Sequence, residues 1–198
     1  FKDEVMELGE VYCSGRALGN RIGGFMIAEV ARKLKEKGKK LPFKLYIVNS
    51  VQEEIGLRGA EMIAHTIKPN VAIITDVCHE TSSPCYTASK QGDHIAGDGG
   101  VITRGPAVHN KLRKLILDTA EAKKIPHQLA ASSRSTGTDT DAFAYANGGT
   151  PSALISLPLK YMHTTCETVH KEDIKNVIEL IYETLLNIEE NHNFKYNS

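Results

Sequence analysis

The 198-residue sequence predicts an α/β fold: a three-layer sandwich whose mostly parallel, mixed sheet carries helices on both faces. Three observations predict it. Short apolar runs rich in β-branched and aromatic residues alternate with longer segments of three-to-four periodicity. The runs at 71–75 (VAIIT) and 153–157 (ALISL) are apolar at nearly every position, as strands buried on both faces are. The length suits one domain.

The first helix spans 21–37. Ile22, Phe25, Met26, Val30 and Leu34 recur on one face, with Arg32, Lys33, Lys35 and Glu36 largely outside. Gly38 sits where such a helix stops. The run 43–48 (FKLYIV) reads as a strand, followed by a helix over 57–67 and the strand 71–75. The region 78–108, rich in glycine, is expected to be a long irregular loop, a feature that is usually functional or an insertion. A helix over 110–123 turns Leu112, Leu115 and Ile116 inward, and 127–131 is a further strand. AFAYAN (142–147) reads as helical. After the strand 153–157, the last helix over 172–189 buries Ile174, Val177, Ile178, Ile181, Leu185 and Ile188. The tail 191–198 is expected to fray.

Charge and composition exclude several function classes. Lys+Arg and Asp+Glu both number 24, so there is no basic excess for a nucleic acid or an acidic membrane. No apolar run approaches the roughly 18 residues of a membrane span, and no signal peptide is read at the start. Cys13, Cys78, Cys85 and Cys166 form no C-x-x-C pair. That disfavours a disulfide framework or a zinc knuckle and fits a reducing cytoplasm. The chain opens on Phe1 without a capping motif, as a piece of a longer protein would.

Ligands of open α/β sheets bind beyond the carboxyl ends of the strands. Glu53 and Glu54 follow the run 43–48, Asp76 follows 71–75, and His163 follows 153–157. Carboxylates and imidazole are ligands of zinc, manganese and cobalt. One of two adjacent acids can bind a metal while its neighbour handles the proton of a water. Each residue also has a plain structural reading. Glu53 and Glu54 suit a solvated helix start, Asp76 a turn or cap, and His163 a hydrogen-bonded structural histidine. The segment TGTDTD (136–141) is sufficient as a cap for the helix after it, and it also sets Asp139 beside the same edge as a substrate-site candidate. Gly97-Asp98-Gly99-Gly100 lacks the Lys-Ser/Thr of a phosphate-binding loop.

VQEEIGLRGA (51–60), TDVCHE (75–80), TGTDTDAF (136–143) and SLPLKYMHTTCETV (156–169) together resemble the glutamyl and deblocking aminopeptidase family. It includes the tetrahedral aminopeptidases, and some members carry cellulase names. The resemblance implies a zinc-exopeptidase-like fold and a two-metal enzyme, using zinc or cobalt, that removes amino-terminal residues from short peptides. It makes Glu53 the general acid/base, Glu54 and His163 terminal ligands of one metal, and Asp76 a terminal ligand of the other. The family's bridging aspartate falls in Ala17-Leu18-Gly19-Asn20-Arg21, where the residue is Gly19.

A bridging carboxylate screens two dications about 3.5–4 Å apart, so its loss predicts weak or absent metal occupancy. Asn20 and His79 are the available substitutes. Another ligand and most of a second, assembly-forming domain would lie outside this chain, with 1–14 as the exit strand from that domain. The whole of 1–198 is then a single catalytic-type domain, and homo-oligomers belong to the full-length form. Gly19 also keeps open an inactive family member serving as a binding or assembly module. A glycan hydrolase is disfavoured, because the sequence has no tryptophan to stack on sugars. The specificity pocket is not legible, with Arg134 and the loop 78–108 as candidates.

Overall fold

The structure is a computed structural model, which describes residues 4–84 and 86–194. Two long parallel ladders build the sheet. β3 (Ala72–His79) pairs with β6 (Ser152–Lys160) in the register Ala72 to Ser152 through His79 to Leu159. β4 (Gly100–Arg104) pairs with β5 (His127–Ala131). Antiparallel contacts join the rest: β6 to β4, β6 to β7 (Glu167–His170), β7 to β2 (Tyr12–Gly15), and β2 to β1 (Met6–Leu8). The sheet is therefore mixed, as expected, and parallel in its long ladders.

Strand periodicity divides the core. Ala153, Ile155, Leu157 and Leu159 of β6 face α1 (Leu18–Glu36), α4 (Asn110–Lys123) and α6 (Lys171–Asn187). Leu154, with Ala72 and Ile74 of β3, faces α2 (Arg58–Ile67) and α5 (Asp139–Ala144). Alternate side chains of a strand point to opposite faces, so one strand serves both layers. A short α3 (Ala88–Gln91) lies between β3 and β4.

The periodic helices stand where the sequence predicts them. α4 spans the predicted 110–123. Regular helical backbone in α1 begins at Arg21, because Gly19 and Asn20 depart from it, and Gly38 adopts φ +58 just past the end. On α6, Val177, Ile181 and Leu185 are buried as expected, and Leu180 and Tyr182 join them, because α1 and α4 flank this helix as well as the sheet.

Four expectations need correction. Phe25 is 51% exposed. The buried line of α1 is Met26, Val30 and Leu34 at i, i+4 spacing, and Phe25 lies to its side. The region 78–108 is not all loop, since Val101, Ile102 and Thr103 form the buried centre of β4. Phe194, in the tail expected to fray, is buried in the main core, while 195–198 lie outside the described residues.

The fourth correction concerns 43–48, which forms no strand. Residues 41–50 make no backbone–backbone hydrogen bond among the described residues. They run opposite the free edge of β3 across a cavity of about 1050 Å³ that Phe43, Leu45, Val48, Ile73 and Ile74 help to line. β-propensity cannot form a ladder without a partner within bonding distance.

β3 is consequently an edge strand. The amide of Ala72 donates toward the β6 side, to Pro151, and alternation turns the backbone groups of Ile73, Thr75 and Val77 outward. Side chains cover part of that edge: Asn20 Nδ2 donates to the Thr75 carbonyl at 3.0 Å, and Val77 N–H donates to Asp76 Oδ1 at 2.8 Å. Hydrogen exchange along β3 is expected to alternate, slow at Ile74 and Asp76 and fast at Ile73 and Thr75. Uniform protection would show that the edge is closed. Among the described residues, no helix is long and apolar enough to cross a membrane.

Candidate active site

The acids gather at the carboxyl end of β3. Asp76 is carried by the strand itself and is buried. Glu53 and Glu54 lie in the turn that leads into α2. There the Glu53 carbonyl accepts from the amides of Gly56 and Leu57, a bend that Gly56 permits at φ +117. Asp139 opens α5. Its Oδ2 accepts from the Ser50 hydroxyl, which ties α5 to the segment ahead of Glu53. Its Oδ1 is buried without a partner among the described residues. The cap reading of TGTDTD also holds. The Thr138 side chain accepts from Thr140 N–H, and the Asp141 carboxylate accepts from the amides of Thr136 and Gly137.

His163 follows β6 in a left-handed turn, φ +63. Its Nε2 lies 3.3 Å from Glu54 Oε1, and both side chains are exposed. Three chain segments thus supply Glu53 with Glu54, Asp76, and His163 to one cleft, and a fourth supplies Asp139. Two further groups sit at its edge. His79 packs its ring, tilted, on that of Tyr86 and keeps a buried Nδ1 without a partner among the described residues. Asn20 is committed to the fold, because its Nδ2 holds Thr75 and its Oδ1 accepts from Gly23 N–H. Arg134 is exposed.

The electrostatics are one-sided. Burial pushes the Asp76 carboxyl up to about 7 against the pull of the Val77 amide, and Glu53, Asp139 and Glu54 push it further. Glu53 is raised by burial and then by Glu54 and Asp139, with His163 opposing. Asp139 is raised by burial, partly offset by the Ser50 hydroxyl. His79 is lowered by burial and by His163. Among the described residues, every charged group acting on Asp76 is another acid. Such a cleft favours a bound cation, or protons in its place. Burial holds the neighbouring Cys78 thiol up at about 12, so it is no nucleophile at neutral pH.

A divalent cation can be tested against these residues. The donor chemistry fits a cation at one pair of ligands: Glu54 and His163 stand side by side, and among the described residues the nearby Asp139 Oδ1 is a buried acceptor without a partner. A closed two-ion centre does not fit. Among the described residues, no three His, Cys, Asp or Glu converge to hold a metal, and residue 19 brings no carboxylate. Two contributors carry no signal in the sequence: Ser50 stands just past the end of an apolar run, and Glu167 is one acid within the segment 156–169.

A mixed-sheet α/β sandwich that collects carboxylates and imidazoles beyond its strand ends has the build of an α/β peptidase. The comparisons make this particular: the chain belongs to the M42 glutamyl aminopeptidase family, whose profile matches residues 1–180. It is 36% identical over 186 residues to the lysyl aminopeptidase of Pyrococcus furiosus, covering 91% of this chain and 50% of that protein. It is 32% identical over 152 residues to the glutamyl aminopeptidase of Lactococcus lactis, covering 75% and 40%. Among solved structures, the TET aminopeptidase of Thaumarchaeota archaeon SCGC AB-539-E09 superposes with a TM-score of 0.87 at 28% identity, covering 94% of this chain and 52% of that one. The aminopeptidase APDkam598 of Desulfurococcus kamchatkensis gives 0.85 at 29%, covering 95% and 52%. The chain spans about half the length of the relatives it matches.

Proposed function

We propose that this chain carries part of an aminopeptidase centre that releases amino-terminal residues from short peptides. The supporting observation is the acid-only surroundings of Asp76, pushed up to about 7. A bound zinc or cobalt ion would supply a water of lowered pKa and a Lewis acid for the scissile carbonyl. Glu54 and His163 are the residues to hold it, and Asp76 would add negative charge beside them. Glu53, with its raised pKa, is suited to take a proton from water and return it to the leaving amine. Asp139 would offer a carboxylate to the substrate. Cytoplasmic location and homo-oligomeric assembly of the longer form belong to the same reading.

Gly19 favours a second reading, a family member with impaired or absent catalysis. Calorimetric titration with Zn²⁺ or Co²⁺ is expected to show weak binding. Two sub-micromolar sites would overturn the impairment, and no binding at millimolar metal would overturn the metal reading. Aminoacyl-p-nitroanilide hydrolysis, set against carboxymethyl cellulose hydrolysis with and without metal, checks the reaction class.

Restoring the acid with Gly19→Asp should tighten metal binding and lower stability together. The new Cβ would lie 3.1 Å from Val77 Cγ2 and 3.4 Å from Leu159 Cδ2, with Glu167 Oε1 at 3.6 Å. Overpacking of this kind costs about 1–3 kcal/mol, and a second acid beside Glu167 adds repulsion. Thermal melting and titration of the same preparation read both effects.

A further inference from the structure

Glu167 opens β7 and is 2% exposed. A carboxylate this deep must be hydrogen-bonded, and here its two oxygens serve two different segments. Oε2 accepts from the backbone amide of Gly19 at 2.9 Å, and Oε1 accepts from that of His163 at 2.7 Å. The first bond anchors the start of α1. The second anchors the turn after β6, in which His163 holds the left-handed φ of +63, a conformation rare for a residue with a side chain.

Each bond leads to the cleft. His163 places its Nε2 at 3.3 Å from Glu54 Oε1. Asn20, next to Gly19, donates to the Thr75 carbonyl, and Thr75 directly precedes Asp76. One buried side chain is therefore two hydrogen bonds from the β3 end that carries Asp76 and one from the backbone that carries His163.

We propose that Glu167 is a positioning residue that sets the spacing between the His163 imidazole and the Asp76 end of β3. The inference rests on the reading of Glu54, His163 and Asp76 as cation-holding groups. A merely structural acid would satisfy two buried amides and leave cation binding untouched, so the two roles separate by experiment.

Glu167→Gln keeps the shape of the side chain but has one acceptor oxygen, and its NH₂ then faces one of the two amides. Glu167→Asp keeps the charge and loses reach. Neither opens the cavity that Glu167→Ala would, so the folded variants carry the test even if the alanine chain does not fold. Hydrogen exchange at Gly19 and His163 reads the clamp, with Ile155 and Leu157 of β6 as internal references, and Co²⁺ absorption titration reads its consequence.

In Glu167→Gln, exchange at Gly19 or His163 should quicken while β6 stays unchanged, and Co²⁺ affinity should fall about 10–100-fold, as it does when the support of a metal ligand is removed. Opened amides with unchanged Co²⁺ affinity would overturn the positioning role alone, as would amides that stay closed. A parent chain that takes up no Co²⁺ at millimolar concentration would overturn the cation reading first and this inference with it.

Discussion

Replacing Glu53 by Gln is expected to lower peptide-bond hydrolysis by about 10²–10⁴-fold, the usual contribution of general acid–base catalysis. The substitution keeps the volume and a hydrogen-bonding carbonyl but cannot accept and return a proton. Burial, Glu54 and Asp139 all raise the Glu53 carboxyl, moving it toward the range in which a base is both available and strong. The effect should fall on kcat, with KM and metal affinity close to those of the parent, because Glu54 and His163 are untouched. The measurement uses aminoacyl-p-nitroanilides at saturating Co²⁺, in the parent chain and in Gly19→Asp. Near-parental turnover of the Gln variant would remove Glu53 from the proton-transfer role.

Asp76→Asn should stabilise the metal-free protein above neutral pH. The sign follows from the raised carboxyl. Folded Asp76 holds its proton up to about 7, whereas the unfolded chain releases it near its ordinary 3.8. Below about pH 4 both states are protonated and the group makes no difference. As pH rises toward 7, the unfolded state ionises first, and the stability present at low pH is progressively lost. Above 7 the full penalty remains. About three pKa units at about 1.4 kcal/mol each set an upper scale of roughly 4 kcal/mol.

The Asn variant retains an oxygen for the Val77 amide and carries no charge to bury. Urea denaturation should therefore show it more stable than the parent by about 2–4 kcal/mol at pH 8 and nearly equal at pH 4. Equal or lower stability at pH 8 would show that burial of the Asp76 charge is not the dominant cost.

The helical layer and the central strands were legible because they depend on periodicity alone. Met26, Val30 and Leu34 on α1, and Val177, Ile181 and Leu185 on α6, repeat at the spacing that any packed helix imposes. The apolar run at 153–157 marked a strand covered on both faces before its neighbours were known. The strand-end rule likewise pointed to Asp76 and His163 without coordinates, whereas it reached Glu53 and Glu54 through a run that forms no strand. Phe43 through Val48 shows the limit. The local pattern is that of a strand, and the ladder fails because the backbone it would bond to stands across a cavity. β4 shows the opposite case, a short β-branched core hidden among glycines that becomes a strand because β5 and β6 flank it.

Glu167 carried no signal, since an acid at the start of a short strand is ordinary in sequence. Its weight comes from two amides, one distant in the chain and one close by, that fold onto the same carboxylate. The sequence by itself determined the fold class, the helices and the identity of the cleft acids, because side-chain spacing and strand order are properties of the chain. Only the tertiary structure decided which run becomes a strand, where the sheet ends, how far the acids raise one another, and which buried side chain joins His163 to Gly19. Hydrogen-bond partners, solvent exposure and charge–charge distances are set by segments far apart in the chain, and no local pattern encodes them.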